Sequence, residues 1–526
     1  MKPEAIDWDE DLPPAEPEEE YLTLVRTLKR TDGFSLLFVE CLPAQGERWI
    51  ARVKTDIPQQ KIEVLRLKES VYNFYNLIEQ LPNRDRIHVL FVQGLEYSLY
   101  EYEREKKDLG WESKDIYSYS WRGVPPVLIN LNQQRERFRD NFKICFVFLL
   151  PKFAIDYFIQ RAPDFFDWRS SLFKLSMDGE SLQAESIKAC SERWKLEDYF
   201  SLTPAERKRE LVRIQTLIDE DGQTGEQKAE LFFEQALLYR YGEQYAKAIA
   251  SFDKALELKP DLHEAWYNRG NALYNLGRLE AARSSYDKAL EIKPDLHEAW
   301  NNRGIALGNL GRLEEAIASL DKALEIKPDL HEAWNYRGYA LYNLGRWEEA
   351  IACYDQALEI KPDNHDAWNN RGNVLGNLGR WEEAIACYHQ ALEIKPDDHD
   401  AWYNRGLALD NLGRLEEAIA SFDKALEIKP NSHESWNYRG YTLGNLGRLE
   451  AAIASYDKAL EIKPDDDATF YNQACSYALN GQMDQAIQNL QQAIDLNPDK
   501  YREMAKTDSD FDSIRSHTRF QALIQG

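Results

Sequence analysis

The sequence predicts two parts: an α/β domain with a mostly parallel sheet, then an all-α superhelix of eight helix-turn-helix repeats with a cap. Three observations carry that prediction. Trp266, Trp300, Trp334, Trp368, Trp402 and Trp436 fix a 34-residue period. Within each period apolar residues recur at spacings of three and four, the mark of amphipathic helices. The first 200 residues lack this repeat and alternate short β-rich apolar runs with helical patterns, as a parallel sheet requires.

In chain order, residues 1–20, with nine acids and the stretch PPAEPEEE, predict a disordered acidic leader. Residues 21–200 form the α/β domain. A short helix is expected over 21–29, and strands over 34–41, 61–67, 87–93 and 142–150, with a fifth near 171–175. Helical patterns lie between them at 70–81, 124–141 and 152–162. The stretch MDGESLQAES, 177–186, predicts a linker. Residues 201–228 predict a linker helix with Pro204 in its first turn. Eight repeats occupy 229–500, with Phe232 and Phe470 at the tryptophan phase in the end units, and 501–526 predicts a cap helix or helix pair.

Within a repeat, here His297 to Leu330, the glycine of NLGR stops the first helix and the proline of KPD ends the second. Asp295, three residues before Glu298, predicts a variant capping box at the next helix start. The W-x2-R-G motif, Ala316, Ala323, Pro328 and the period resemble the tetratricopeptide repeat. That resemblance implies a superhelix whose first helices line a concave groove that holds polypeptide.

At the groove positions of the family, the sixth residue of each unit is Asn268, Asn302, Asn370, Asn404 or Asn472, interrupted by Tyr336 and Tyr438. The thirteenth is Asn275, Asn309, Asn343, Asn377, Asn411 or Asn445. A carboxamide both donates and accepts, so such a column can pair with a peptide backbone whatever its side chains. At the thirteenth position turn geometry is an equal explanation. The second position is acidic, Glu264, Glu298, Glu332, Asp366, Asp400 and Glu434, either as groove lining or as helix-start residues facing the dipole. The basic clamp that grips terminal carboxylates in related proteins is missing from these positions. The twelfth position carries Gly308, Gly376 and Gly444, explained by pockets for ligand side chains or by drift among duplicated units. The six histidines that open repeats lie too far apart for shared metal ligation.

The α/β segment resembles the nucleoside-triphosphatase core of STAND and NACHT proteins, through VLFVQGLE (89–96), LNQQRERF and APDFFDWRS. An active member needs a glycine-rich phosphate loop with a lysine and an acid for magnesium. Here LPAQGERWIAR follows the first strand and Gln93 stands where the acid belongs, with Glu96 just beyond. Two required parts are missing, which implies an inactive module. Asp164, Asp167 and Arg169 are expected to form a buried ion-pair cluster, and Arg135, Arg137 and Arg139 to face solvent or the repeats.

A net charge of −25 disfavours nucleic acid and anionic membranes, which need basic surfaces. No apolar run approaches a membrane span and no signal peptide is apparent, so a cytoplasmic protein is expected. The six scattered cysteines predict buried thiols without disulfide or metal roles. The expectation is a non-enzymatic scaffold, without a cofactor, that holds a neutral or basic protein or peptide in its groove. The alternative is a nucleotide-responsive switch that binds without hydrolysis. The domain pairing is similar to bacterial immunity-like sensor proteins and to repeat-rich cyanobacterial proteins.

Overall fold

The computed structural model describes residues 17–100, 102, 124–175, 179–191, 196–220 and 223–525. Two compact units divide the chain, one ending at Arg278 and one beginning at Leu279.

The first unit is built on five parallel strands: β1 (Ser35–Glu40), β2 (Ile62–Arg66), β3 (Val89–Gln93), β4 (Cys145–Leu150) and β5 (Ser171–Lys174), in the order β2-β3-β4-β1-β5. Their near-continuous apolar composition follows from burial on both faces. Alternate residues point to opposite sides. Leu36, Phe38, Leu90, Val92, Phe146 and Phe148 pack on α3 (Phe74–Glu79), α4 (Pro126–Asn141) and α5 (Lys152–Arg161). Leu37, Val39, Phe91, Val147 and Leu149 pack on α1 (Pro17–Arg30) and α2 (Pro43–Asp56).

Several expectations need correction. Glu18, Glu19 and Glu20 belong to α1 rather than to a leader; acids in a first turn complement the helix dipole, and Glu18 pairs with Arg52. Residues 1–16 lie outside the described residues. The stretch after β1 is α2, which begins at Pro43. Most of the proposed linker at 177–186 lies in a helix, Gly179–Ser191, because its Glu, Gln and Ala are good helix formers. Asp164, Asp167 and Arg169 form no buried cluster. Asp164 pairs with Arg135 at 3.6 Å and Asp167 with Arg169 at 3.7 Å, both aspartates mostly exposed. Arg137 and Arg139 are exposed, as expected, with their guanidinium groups over the Tyr75 and Trp168 rings of the same unit, and Arg135 is half-buried.

The unit continues through Pro204–Asp219, whose Thr203–Glu206 capping box starts it, and ends in the first repeat helices: Gly225–Tyr241, Tyr245–Leu258 and His263–Asn275. The second unit holds the remaining repeats, from Leu279–Ile292 to Met483–Leu496, then Pro498–Thr507 and Thr518–Gln525 as a cap that buries Phe511, Ile514 and Phe520.

The repeat motif has local physical reasons. Gly311 and its equivalents take φ near +75°, letting Arg312 N–H reach the Leu307 carbonyl and close the first helix. A Cβ at Gly338, Gly372, Gly406 or Gly440 would strike the ring of Tyr354, Tyr388, Phe422 or Tyr456, so the glycine of W-x2-R-G sets how closely two helices pack. Trp266, Trp300, Trp334, Trp368, Trp402 and Trp436 each donate Nε1–H to the carbonyl of the preceding repeat's proline at 2.9 Å. The Asp295–Glu298 box does not form: Leu296 is the N-cap and makes no side-chain bond. Asn364, Asp398, Ser432 and Asp466 supply true caps in later repeats. In the second unit, successive first helices approach one another more closely than successive second helices do, which puts the first helices on the inside of the curve.

Candidate functional site

The predicted positions lie on the first helices of the repeats, and the sixth residue does not stand alone. Asn370 Nδ2 donates to Asn335 Oδ1 at 3.3 Å, Asn404 to Asn369 at 3.4 Å and Asn472 to Asn437 at 3.2 Å. At these three junctions the fifth position of one repeat accepts from the sixth of the next, whereas Tyr403 and Tyr438 meet at the junction between the second and third pairs; these lateral pairs escape a reading of single columns. Asn302 Oδ1 accepts from Asn301 of its own helix. In the first unit, Asn268 bonds back to the Glu264 carbonyl and accepts from Arg240.

The thirteenth-position carboxamides are exposed and mostly engaged locally. Asn275, Asn343 and Asn411 donate to the carbonyl four residues back, and Asn377 to Tyr342 Oη at 2.9 Å. Asn309 and Asn445 are exposed at the same helix ends. Tyr336 and Tyr438 are 39% and 38% exposed, and each has a second exposed tyrosine three residues on, Tyr339 and Tyr441. The i, i+3 spacing places each pair on one helix face.

The second-position acids sit 3.0 to 3.3 Å from the ring of the preceding histidine: Glu264, Glu298, Glu332, Asp366, Asp400 and Glu434. Gly308 opens onto space, whereas Gly376 lies against Trp381 and Gly444 near Ser476.

Behind this face runs an ion-pair ladder. Arg269, Arg303, Arg337, Arg371 and Arg439 each bind an aspartate sixteen residues earlier at 2.5 to 2.7 Å. Arg405 faces a break in the pattern, because His389 replaces the aspartate. Its Nη1 donates to Ser421 at 2.7 Å and its buried Nε has no partner. At Arg337, Arg371 and Arg405 burial pulls the guanidinium group down; bonds to Asp321 and Asp355 leave Arg337 and Arg371 raised overall, while Arg405 ends below its ordinary value.

In the first unit, β1 lies between β4 and β5; the chain leaves β1 toward β2 on one side and leaves β4 toward β5 on the other. Such a reversal opens a crevice at the carboxyl ends of the strands. Only Cys41 and Leu42 separate β1 from α2. Pro43 has no N–H to give, and the Gln45 and Gly46 N–H groups return to the Leu42 carbonyl. A Cβ on Gly46 would overlap Gln93 Nε2, so Gln93 packs on α2. Gly94, at φ 87°, lies against the Leu67 carbonyl and turns the chain sharply after β3. Glu96 then sits in the first turn of a helical segment at 96–100, 2% exposed. Burial pushes it up to about 7 against backbone hydrogen bonds at Glu96 and Gly94.

Among the described residues, Cys475, Asp508 and Asp510 bring potential metal-ligand atoms within 4.8 Å of one another. Asp508 already accepts from Tyr471 Oη at 2.7 Å and from the Asp510 N–H at 3.0 Å, so the group fastens the cap to the last repeat. All six cysteines are buried free thiols.

Stacked helix pairs with their first helices inward define a helical-repeat protein. Tetratricopeptide repeat family models match residues 233–297, 297–330, 319–352, 338–379, 369–433, 433–466 and 455–488. Residues 233–488 are thus a tetratricopeptide repeat array. A curated relative, the uncharacterized protein MJ0572 of Methanocaldococcus jannaschii, is 39% identical over 56 residues, 11% of this chain and 65% of that protein. The chain therefore spans slightly less than two thirds of that relative's length. Among solved structures, YrrB, described as a TPR protein with an unusual peptide-binding site, is 27% identical over 36% of this chain and 96% of its own, with a TM-score of 0.32. PilW, a type IV pilus biogenesis factor, is 25% identical over 39% and 96%, with a TM-score of 0.37. No helix among the described residues is long and apolar enough to cross a membrane.

Proposed function

We propose that the repeat array is a polypeptide-binding scaffold whose inner face holds an extended, neutral or basic segment. Tetratricopeptide repeat proteins are protein-interaction scaffolds, and the array belongs to that family. The observation that carries the proposal is the set of three lateral carboxamide pairs, Asn335–Asn370, Asn369–Asn404 and Asn437–Asn472. Each lateral bond uses one N–H of the donor amide and one lone pair of the acceptor, and a carboxamide has two of each. Each pair orients its two side chains before any peptide arrives, which lowers the entropic cost of binding. The exposed Tyr336–Tyr339 and Tyr438–Tyr441 pairs add aromatic surface of the kind that dominates interfaces. A net charge of −25 favours basic partners by long-range attraction.

The α/β unit acts in this proposal as a module of the inactive NTPase type. The two-residue connection from β1, the proline at the head of α2 and Gln93 packed on Gly46 all support it. The site test is direct. Asn302, Asn370 and Asn404 changed together to Ala should weaken capture of extended lysine-containing peptides at least about tenfold, read by fluorescence anisotropy, while circular dichroism stays unchanged. Undiminished capture would show that the carboxamides serve only the array.

A further inference from the structure

A second candidate site lies in the α/β unit. A cavity of about 170 Å³ opens at the carboxyl edge of the sheet, with Pro43, Glu47, Arg66, Gln93, Glu96 and Leu149 in its lining. Open α/β sheets bind ligands on this side, at the point where strand order reverses. Its volume is close to the roughly 150 Å³ cavity that accepts benzene in another protein.

The chemistry of the lining selects the ligand. Glu96 is almost fully buried, and its Oε2 has no hydrogen-bond partner. The guanidinium in the lining, Arg66, is held by Glu47 through two bonds of 2.7 Å, so it does not neutralise Glu96. A buried carboxylate without a counter-charge is costly, and a cation in the adjoining space relieves that cost. Pro43, Leu67 and Leu149 give the cavity apolar walls. A phosphate meets the opposite conditions: a carboxylate beside it and no array of free backbone N–H groups at the head of α2.

We propose that this cavity binds a small organic cation, an alkylammonium or alkylguanidinium compound, with its N–H groups on the Glu96 carboxylate and its stem against Leu67 and Leu149. The α/β unit is then an effector-binding module whose ligand is positively charged, in contrast to a nucleotide. Binding requires the ionised carboxylate, which burial places near pH 7. Affinity therefore rises with pH up to about 7 and levels above it. The ionisable neighbours do not blur this dependence. Burial pushes the Cys41 thiol and Tyr97 phenol up, and their mutual bond drives Glu47 down and Arg66 up, away from neutrality. Arg209 and Glu210 act on Tyr97 from the helix Pro204–Asp219.

The test is calorimetric titration of the full chain with agmatine and with n-butylammonium, at about pH 6 and about pH 8 and at low and high NaCl. Saturable binding should survive high salt, since a buried pair is screened far less than the acidic surface, and should be about tenfold weaker at the lower pH. Glu96→Gln should weaken it at least about tenfold at the higher pH. Leu149→Phe, which fills the cavity and leaves the carboxylate in place, should abolish it while the native far-UV spectrum persists. The proposal is overturned by equal affinity in Glu96→Gln, by binding that high salt erases, or by no saturable heat from either probe. Heat from magnesium-ATP in place of the amines would return the cavity to nucleotide.

Discussion

The α/β unit and the repeats bury their charges in opposite ways. At the sheet edge one carboxylate, Glu96, is 2% exposed at the wall of a cavity, with an oxygen unpartnered. Along the repeats, half-buried arginines find an aspartate at a fixed offset of sixteen residues, five times over. The difference shows what duplication does. A packing solution found once is copied with its partners, because both members of the pair recur with the period. A charge that occurs once in a fold has no such guarantee, and where it persists unpaired the surroundings are arranged around it. His389 is the informative exception, since it withdraws the carboxylate from one copy and leaves Arg405 in the condition of Glu96.

The comparison can be broken first at the turn that creates the unpaired acid. Gly94→Ala places a side chain at φ 87° and onto the Leu67 carbonyl, a clash with backbone that cannot yield. It should cost at least about 4 kcal/mol and unfold the α/β unit at temperatures where the repeats keep their helical signal, seen as an early loss in a circular-dichroism melt.

Next in size is the acid itself. Glu96 has a folded value raised from 4.5 to about 7, so the native state holds its proton more tightly than the unfolded chain. Its stabilising share is complete below 4.5, declines as pH rises through the interval, and above about 7 the folded protein carries the full cost of the buried charge. Glu96→Gln removes that dependence. It should raise the stability of the α/β unit by on the order of 3 kcal/mol at about pH 8, with little change at about pH 4, in urea unfolding at the two values.

The smallest effect sharpens the comparison from the other side. His389→Asp returns the carboxylate that its five counterparts possess, and Arg405 Nε gains the partner it lacks. The gain should be about 1 kcal/mol, a rise of about 2–4 °C in the melting of the array, and it should vanish when Arg405→Ala is added. A gain that persists without Arg405 would mean that the aspartate acts through the helix rather than through the pair.

Much of this was legible in the residues. The period, the glycine and proline stops and the five strands follow from spacing and from local conformational preference, which act over a few neighbouring residues. The absence of a glycine-lysine phosphate-loop motif was also legible, because such a motif is local. The lateral bonds from position six to position five were not, since they join residues 35 apart whose distance depends on how one repeat stacks on the next. The break at His389 was in plain view as a substitution, yet nothing in the sequence tied it to Arg405. The helix across 179–191 was missed because a single glycine and polar residues suggested a linker, while packing of Leu182, Ala189 and Cys190 holds it in place.

By itself the sequence determined that there would be helix pairs of one length, a parallel sheet earlier in the chain and no glycine-lysine phosphate-loop motif, because short-range periodicity and backbone chemistry decide those things. Only the tertiary structure decided that Glu96 would be dry, that Gln93 would rest on Gly46, and that the asparagines would bond to one another before any ligand came. Burial and hydrogen-bond partnership are properties of what surrounds a residue in space, and the surroundings are brought together from strands and repeats far apart in the chain.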